Sequence, residues 1–262
     1  MKKRIDVLLV EKGLAKSREK AKALIIAGGV YVNGGRAKSP SDQFDSEDTI
    51  EIKGGGCPYV SRGGLKLKKA IDVFSLDLTG KVCADIGAST GGFTDCMLQE
   101  GAAFVYAVDV GYGQFDWGLR NDGRVEVLER TNARYLEAFD RAVEFVSIDV
   151  SFISLALIFP AALRISMGNA DIAALIKPQF EAGREKVGKK GVVREAQTHR
   201  EVIKNVQKSA ASLGLSMAGL TYSPVRGPNG NIEFLARFVT DGGGDVGEGV
   251  IADVVAQAHE AL

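Results

Sequence analysis

The stretch that decides the fold is Ala84-Asp85-Ile86-Gly87-Ala88-Ser89-Thr90-Gly91-Gly92-Phe93. The residues before the turn, 81–86, predict a short buried strand, and residues 94–100 predict a helix. A strand, a glycine-rich turn and a helix start, in this order, are typical of the cofactor site of a Rossmann-like α/β sheet. Glycine has no Cβ, so such a turn lets the backbone approach a ligand closely.

A second acidic residue follows the next predicted strand, which covers 104–108 and ends in Asp109. In a Rossmann-like site a carboxylate at this place holds the two hydroxyls of a ribose. The turn matches neither G-x-G-x-x-G nor G-x-x-x-x-G-K-[ST], which disfavours a dinucleotide or P-loop site. An acid in the first turn suits a cofactor with an amine-bearing or cationic end, such as S-adenosylmethionine. The alternative is a tight strand-to-helix turn that binds no ligand.

The composition allows one large domain, or a small domain with a medium one, because the chain has 262 residues. A hydrophobic content of 45% supports a full core, and the net charge of zero says nothing about partners. The charge distribution is more informative, since residues 1–40 hold ten Lys and Arg but three acids. A local excess of that kind indicates a polyanionic partner.

The cysteine and histidine residues indicate neither a metal site nor a disulfide framework. Cys57, Cys83 and Cys96 are widely spaced and form no C-x-x-C pair, and His199 and His259 lie far apart in sequence. The basic N-terminus is not followed by an apolar segment, and no run of 18 apolar residues occurs. We therefore expect a cytoplasmic protein without a signal peptide, membrane span or metal.

The first fifty residues predict a small α+β unit. Helices are predicted at 4–12 and 17–27, with Ser17 as the N-cap of the second helix. A strand at 30–32 precedes the hairpin-turn signal Asn33-Gly34, and residues 48–53 return as another strand. The unit resembles the S4 RNA-binding domain in three stretches, RIDVLLV at 4–10, SREKA at 17–21 and AGGVYVNG at 27–34.

The resemblance to S4 domains implies that a basic helix face contacts structured RNA, where shape and phosphate contacts matter more than base identity. The alternative is a solvated charged face. Two further basic residues lie in the second domain: Arg62 just before its first helix, and Arg184 within a charged loop at 178–198. This loop either clamps RNA phosphates or is a solvated loop. The candidate RNA-binding residues are Arg4, Lys16, Arg18, Lys20, Lys22, Arg62 and Arg184.

Glycine-rich segments divide the chain. We predict an S4-like domain at 1–53, a linker at 54–59, an α/β domain at 60–240, and a flexible joint with a C-terminal helix at 241–262. Strands and helices alternate through the α/β domain until the end, where a short link joins the last two strands. That link predicts an antiparallel final hairpin, which methyltransferase sheets have and plain dinucleotide sheets lack. The predicted strands cover 82–86, 104–108, 125–128, 145–148, 171–176, 215–222 and 232–238, and the helices lie near 64–73, 93–100, 117–120, 154–164 and 199–213.

Four charged residues stand at the ends of predicted elements. Lys66 opens the first helix of the α/β domain, Asp149 and Lys177 follow strands, and Glu233 begins the last strand. The carboxyl ends of parallel strands face the ligand crevice of an open α/β sheet. Taken singly, Lys66 is also consistent with an exposed helix lysine, Asp149 with a helix N-cap, and Glu233 with a protective edge charge.

Together the four residues resemble the K-D-K-E tetrad of the FtsJ-like ribose 2′-O-methyltransferases. An S4 domain ahead of such a fold is typical of the TlyA subfamily, also called haemolysin, which the whole chain resembles. The similarity runs nearly end to end and is carried by VSRGGLKL at 60–67, DVSFISL at 149–155, LIKPQFEAGR at 175–184 and GNIEF at 230–234. The resemblance implies an S-adenosylmethionine-dependent enzyme that methylates cytidine 2′-hydroxyls of ribosomal RNA or of a ribosomal subunit.

The resemblance also implies residue roles. Lys177 is expected to be the base, assisted by a second ammonium nearby on Lys66, while Asp149 and Glu233 fix the two lysines. The implied cofactor-binding residues are Asp85, Gly87, Ser89, Thr90, Gly91, Gly92, Phe93, Asp109 and Asn132. Two departures from the family pattern are Asn132, where Asp is common, and Ser151, where proline is common. The alternatives are a membrane-lytic protein and a non-catalytic S4 RNA-binding adaptor.

Overall fold

The computed structural model describes residues 2–15, 17–26, 28–52, 57–240, 242 and 244–262. The chain divides into two compact units, Met1–Arg62 and Gly63–Leu262. This boundary lies slightly after the predicted linker at 54–59, of which residues 54–56 fall outside the described residues.

The first unit combines two helices with short strands. Its elements are β1 (Lys2–Arg4), α1 (Ile5–Glu11), α2 (Arg18–Ile26), β2 (Val30–Val32), β3 (Gly35–Arg36), β4 (Gln43–Asp45) and β5 (Ile50–Ile52). The strands form a three-stranded sheet in the order β3-β2-β5 and a separate pair of β1 with β4. The two helices pack their apolar faces onto β2, with Ile5, Leu9, Ala21 and Ile25 buried. The predicted S4-like α+β architecture is therefore confirmed.

Local sequence signals explain the turns of this unit. Asn33 and Gly34 both adopt left-handed backbone, with φ of 50° and 80°. They join Val32 to Gly35 in a two-residue hairpin, as the Asn-Gly pair predicts. Ser17 Oγ accepts a hydrogen bond from the backbone N–H of Lys20 at 3.2 Å, which confirms the predicted N-cap.

The second unit is built around one seven-stranded sheet. Its elements are α3 (Gly63–Phe74), β6 (Val82–Ile86), α4 (Gly92–Gln99), β7 (Phe104–Val108), α5 (Trp117–Arg120), β8 (Val125–Leu128), β9 (Val143–Ile148), α6 (Phe159–Ile165), β10 (Ser166–Ile176), α7 (Pro178–Glu181), α8 (Ala196–Ala211), β11 (Ser216–Tyr222), β12 (Phe234–Val239) and α9 (Glu248–Ala261). The strand order is β11-β12-β10-β9-β6-β7-β8. Neighbouring strands from β10 to β8 are parallel, and β12 runs antiparallel to both β10 and β11. This confirms the Rossmann-like sheet with an antiparallel final hairpin.

The central strands are apolar because helices cover both faces of a parallel sheet. Every residue of β7 is buried, and β6 is buried after its first residue. The largest fully buried side chains of the unit include Phe145, Phe159, Phe234 and Phe238. The buried strands therefore form the core of the unit, and the residues that follow their ends lie at its surface edge.

The C-terminal helix belongs to this core. Ile251, Val255 and Ala258 on α9 are buried within the same hydrophobic cluster as the sheet. The backbone N–H of Val246 also donates to the carbonyl of Met217 in β11 at 2.9 Å. The predicted C-terminal helix therefore packs on the sheet beside β11. Of the predicted joint at 241–244, residues 241 and 243 lie outside the described residues.

Several predicted elements have other bounds in the structure; the last strand, for example, begins at Phe234, so Glu233 precedes it rather than beginning it. Two predicted segments differ more. The helix predicted at 154–164 begins at Phe159, because a 3-10 turn at Leu155–Leu157 precedes it. The charged loop at 178–198 is not structureless, since it contains α7 and a 3-10 turn at Arg184–Lys186. Within the described part of the chain, no helix is both long and apolar enough to cross a membrane.

Candidate active site

The predicted site residues gather at one edge of the seven-stranded sheet. Gly87 follows β6, Asp109 follows β7, Asp149 follows β9 and Lys177 follows β10. These strands are parallel, so their carboxyl ends lie side by side. Glu233 reaches the same edge from the opposite chain direction, because β12 is antiparallel and its first residue, Phe234, pairs with Ile176.

The glycine-rich turn is shaped by close contacts within the protein. Gly87 has a φ of 90°, and a Cβ placed there would lie 2.3 Å from the backbone carbonyl oxygen of Asp149. Gly91 has a φ of 93°, and a Cβ there would lie 2.6 Å from Leu119 Cδ1. Only glycine tolerates both this backbone conformation and this crowding. The sequence argument attributed the glycines to ligand approach, whereas at these two positions the near atoms belong to the chain itself.

The tip of the turn is the part that faces outward. Ser89 and Thr90 are exposed, and Ser89 has a φ of 49°. Gly92 and Phe93 begin α4 and are buried. The exposed part of the predicted cofactor turn is therefore the tip, which precedes the N-terminus of α4.

Asp85 lies beneath the turn, and its side chain has no exposed surface. Its carboxylate accepts hydrogen bonds from Thr94 Oγ1 at 2.7 Å and from Ser147 Oγ at 3.0 Å. Burial raises the pKa of this carboxyl to about 7, although the two hydroxyls oppose the shift. Asp85 joins α4 to the neighbouring strands β6 and β9, and this position indicates that it shapes the turn from below.

We expect Asp85→Asn to increase stability at mildly alkaline pH. The pKa of Asp85 rises from 3.8 to about 7 on folding, so the wild type loses stability as the pH rises through this interval. Asparagine keeps the shape but does not ionise. Thermal unfolding should therefore give the variant a higher Tm than the wild type at about pH 8 and a flatter Tm profile between pH 4 and 7. Identical profiles for the two proteins would contradict the buried-carboxyl assignment.

Asp109 directly follows β7, and Asn132 lies in the segment after β8. Asp109 is half-buried, and its two carboxylate oxygens accept from the backbone N–H groups of Ser89 at 2.7 Å and Gly111 at 2.6 Å. Asn132 is exposed and caps a 3-10 turn by accepting from the N–H of Arg134 at 3.1 Å. A carboxylate has about four acceptor sites, so Asp109 retains capacity for ligand hydroxyls.

The four charged residues of the tetrad form two ion pairs. Lys66 Nζ lies 2.5 Å from Glu233 Oε2, and Lys177 Nζ lies 2.5 Å from Asp149 Oδ1. Both lysines are 8% exposed, and Glu233 is fully buried. The sequence predicted that the carboxylates fix the lysines, and each lysine does have its own carboxylate partner. The other oxygen of Glu233, Oε1, is buried without a hydrogen-bond partner among the described residues.

Gly227 makes room for the Glu233 carboxylate. A Cβ at residue 227 would lie 2.0 Å from Glu233 Oε1. The carbonyl of Asn231 accepts from the N–H of Gly227 at 2.9 Å and closes the loop before β12. The Glu233 carboxylate can therefore occupy this position only because residue 227 is a glycine.

Comparison with known proteins agrees with the Rossmann-like fold and the S4-like unit described above. The family described as FtsJ-like methyltransferase matches residues 59–239, and the family described as S4 domain matches residues 3–50. A relative from Mycobacterium tuberculosis, named 16S/23S rRNA (cytidine-2′-O)-methyltransferase TlyA, is 46% identical over 234 residues. The alignment covers 88% of this chain and 87% of that relative. The chain is an FtsJ-like methyltransferase of the TlyA family.

Two further proteins are similar over nearly the whole chain. A Bacillus subtilis protein, named as a candidate rRNA methyltransferase, is 50% identical over 268 residues, which cover 100% of this chain and 95% of that protein. A solved structure from Streptococcus thermophilus, described as a candidate haemolysin, has a TM-score of 0.80 and 48% identity. It covers 99% of this chain and 96% of that one. The match of both family descriptions favours the methyltransferase interpretation of this TlyA-family chain over the haemolysin alternative.

The structure adds an exposed aromatic residue that the sequence did not single out. Phe152 is 90% exposed and has a φ of 64°. Its ring lies 4.9 Å from the ring of Phe180, measured between centroids. Ser151, the residue before it, accepts a hydrogen bond from Lys177 Nζ at 2.9 Å. Adjacency to Asp149 was the one available signal, because an aromatic residue in an apolar stretch normally predicts core.

Glu181 connects the loop that carries Phe152 to the helix that carries Phe180. Its carboxylate accepts from Ser154 Oγ at 2.7 Å and from the N–H of Leu155 at 2.8 Å. Burial raises the pKa of this carboxyl. Beside α7 lies a depression of about 340 Å³, lined by Gln179, Phe180, Gly183, Arg184 and Val187. Arg184, predicted to bind RNA, is exposed and lines this depression.

The predicted RNA-binding residues of the first unit differ in their surroundings. Arg4 and Arg18 both contact the buried carboxylate of Asp6, as described below. Lys20 and Lys22 on α2 are exposed, as is Arg62 at the end of the unit. Lys16 lies outside the described residues.

No group of His, Cys, Asp and Glu residues that could hold a metal ion occurs within the described ranges. The sequence position of His199 suggested an isolated histidine. In the structure its Nδ1 lies 2.9 Å from His259 Nε2 on α9. Burial lowers the pKa of His199 to about 4. This pair links α8 to the C-terminal helix of the TlyA-family fold.

Proposed function

We propose that this chain transfers a methyl group from S-adenosylmethionine to the ribose 2′-hydroxyl of cytidine in ribosomal RNA. The observation that carries the proposal is the pair of lysine–carboxylate contacts at the carboxyl edge of the sheet, beside the glycine-rich turn. The substrate that we propose is the one named for the Mycobacterium tuberculosis relative, whose name specifies cytidine 2′-O-methylation of 16S and 23S rRNA.

The residues at the turn fit an adenosine-containing cofactor. Asp109 is half-buried, and its carboxylate accepts from two backbone N–H groups, which supports our assignment of this residue to the ribose hydroxyls. Ser89 and Thr90 are exposed beside it, and the exposed amide of Asn132 follows the next strand. We assign Asp85, Gly87, Gly91, Gly92 and Phe93 to the shape of this pocket. When bound, S-adenosylmethionine supplies a methyl group that is activated on a sulfonium.

The chain itself has to orient the 2′-hydroxyl and accept its proton. A ribose hydroxyl is a weak acid, so a positioned base accelerates the reaction. We assign the base to Lys177, because its Nζ is held between Asp149 Oδ1 and Ser151 Oγ and yet keeps some exposed surface. Lys66 completes the site, and we assign the fully buried Glu233 to fixing its ammonium group.

Two exposed side chains, one next to Ser151 and one after α7, suit an RNA nucleotide. Phe152 presents an aromatic ring, and base-on-aromatic stacking is the usual way to hold an unstacked base. Arg184 presents a guanidinium on the neighbouring segment, which suits a phosphate. The S4-like unit adds its own basic residues, which we assign to phosphate contacts elsewhere on the RNA.

Methyl transfer to purified ribosomal subunits tests the proposal. The full chain is incubated with tritiated S-adenosylmethionine and with small or large subunits, and the RNA is then separated from the ribosomal proteins. We expect label in the RNA fraction and none when heat-inactivated enzyme is used. Label confined to protein, or absent with both subunits and with free rRNA, would refute the proposed substrate.

Replacing Asp109 by alanine should weaken cofactor binding. Hydrogen bonds to a charged group are worth about 1.5–3 kcal/mol, so the loss of its ribose contacts should raise the Kd at least tenfold. Calorimetry with S-adenosylmethionine measures this change. Asp122→Ala is a matched control, because Asp122 accepts hydrogen bonds from Arg124 before β8 rather than after a strand end. Unchanged affinity for Asp109→Ala would remove this residue from the pocket.

A further inference from the structure

The first unit contains a fully buried carboxylate that holds two of its arginines. Asp6 lies in the first turn of α1, and its side chain has no exposed surface. Its Oδ1 accepts from Arg4 Nε at 2.9 Å, and its Oδ2 accepts from Arg4 Nη2 at 3.1 Å. Oδ2 also accepts from Arg18 Nη2 at 3.0 Å. One carboxylate therefore fixes guanidinium groups that come from two different elements.

Both arginines remain available to a partner. The side chain of Arg4 is 44% exposed and that of Arg18 is 56% exposed. Contact with Asp6 uses Nε and Nη2 of Arg4 and only Nη2 of Arg18. Each guanidinium has five N–H donors, so both keep donors for an outside acceptor. Two forks held side by side suit the oxygens of successive phosphates.

We propose that Asp6 is a positioning residue, whose carboxylate orders Arg4 and Arg18 into a paired guanidinium surface for the RNA phosphate backbone. The inference rests on the proposed function, which makes RNA the partner of this unit. Long side chains lose rotamer freedom when they bind, and side chains that are already ordered lose less.

A competing effect has the opposite sign. Asp6 carries a negative charge at a surface meant for a polyanion, so its charge alone opposes RNA binding. The Arg4 guanidinium, followed by that of Arg18, holds the pKa of Asp6 down to about 2, so the carboxylate stays ionised at neutral pH. If only net charge mattered, removing this charge would strengthen RNA binding. If orientation matters more, removing it weakens RNA binding.

Asp6→Asn separates the two effects, because asparagine keeps the size of the side chain and removes its charge. We expect equilibrium binding of the full chain to purified ribosomal subunits to weaken about tenfold, a change of about 1.4 kcal/mol. The slope of log affinity against log KCl should shrink by about 0.7 to 1.8, as for one or two lost phosphate contacts. In methyl transfer the loss should appear in KM for the subunit rather than in kcat. Binding equal to or tighter than that of the wild type overturns the proposal.

A second variant covers the case in which Asp6→Asn loosens the unit. Arg18→Lys alters an exposed side chain and preserves its charge, but lysine cannot present a planar fork. We expect weaker binding from Arg18→Lys, and we expect the double variant to lose less than the sum of the two single losses, because both act through one contact. Unchanged binding by Arg18→Lys, or additive losses, would overturn the proposal. If the wild type binds RNA but transfers no methyl group, the proposed function fails while this inference stands.

Discussion

Replacing Lys177 by alanine should lower the single-turnover rate of methyl transfer by about 10²–10⁴-fold, the usual contribution of a general base. The reason is its placement after β10, where Nζ contacts Asp149 and Ser151 at the reaction edge of the sheet. S-adenosylmethionine affinity should stay within a few-fold of the wild type, since we assign cofactor binding to other residues. Rapid-quench measurement of methyl transfer, together with calorimetry, separates the two quantities.

Lys177→Arg distinguishes a proton acceptor from a mere positive charge. Arginine can still pair with Asp149, but a guanidinium does not give up its proton under working conditions. We therefore expect Lys177→Arg to be nearly as inactive as the alanine variant. Substantial activity in the arginine variant would show that the residue acts through its charge, and substantial activity in the alanine variant would remove Lys177 from the mechanism altogether.

Gly87→Ala should damage both the cofactor pocket and the tetrad. Its φ of 90° is costly for any L-residue, by about 1–2 kcal/mol. The added Cβ would also lie 2.3 Å from the backbone oxygen of Asp149, so backbone has to move. Such crowding typically costs a further 1–3 kcal/mol or so. We expect a lower Tm, weaker cofactor binding and little methyl transfer.

Gly80→Ala is the matched control for that substitution. Gly80 precedes β6 and has a φ of 74°, but a Cβ there would meet no atom within 4 Å. The control variant therefore has the unfavourable backbone conformation of an L-residue at positive φ but no steric clash of its Cβ. We expect Gly80→Ala to lower Tm modestly and to keep cofactor affinity and activity. If the two variants lose equal amounts of Tm, cofactor affinity and activity, the contact between the turn and Asp149 has no particular role.

The sequence predicted those features that short stretches of chain determine. The glycine-rich turn, the Asn33-Gly34 hairpin and the Ser17 cap each depend on a few neighbouring residues, and the structure confirms the hairpin and the cap. The tetrad came from a family resemblance, which grouped residues that lie far apart in sequence. The resemblance did not say which lysine pairs with which carboxylate, and the contact of Lys66 with Glu233 comes from the structure.

Features that arise only from tertiary packing could not be predicted from the sequence. The sequence predicted a basic helix face and listed Arg18 among its residues, but it did not predict that Arg18 contacts Asp6 on α1. An aspartate in a first helical turn normally indicates a solvated residue, so the burial of Asp6 could not be foreseen. Phe152 is the reverse case, because an aromatic residue in an apolar stretch predicts core but is exposed here. The contact of His199 with His259 also depends on where the C-terminal helix packs.

Nucleoside mass spectrometry of the methylated RNA tests the central claim most directly. Ribosomal subunits that lack the modification are incubated with the enzyme and unlabelled S-adenosylmethionine, and their RNA is digested to nucleosides. We expect 2′-O-methylcytidine, whose methyl group stays with the ribose on fragmentation, from the wild type and not from Lys177→Ala. A methyl group on the base fragment, or no methylated nucleoside from the wild type, would contradict the assignment of this site to ribose 2′-O-methylation.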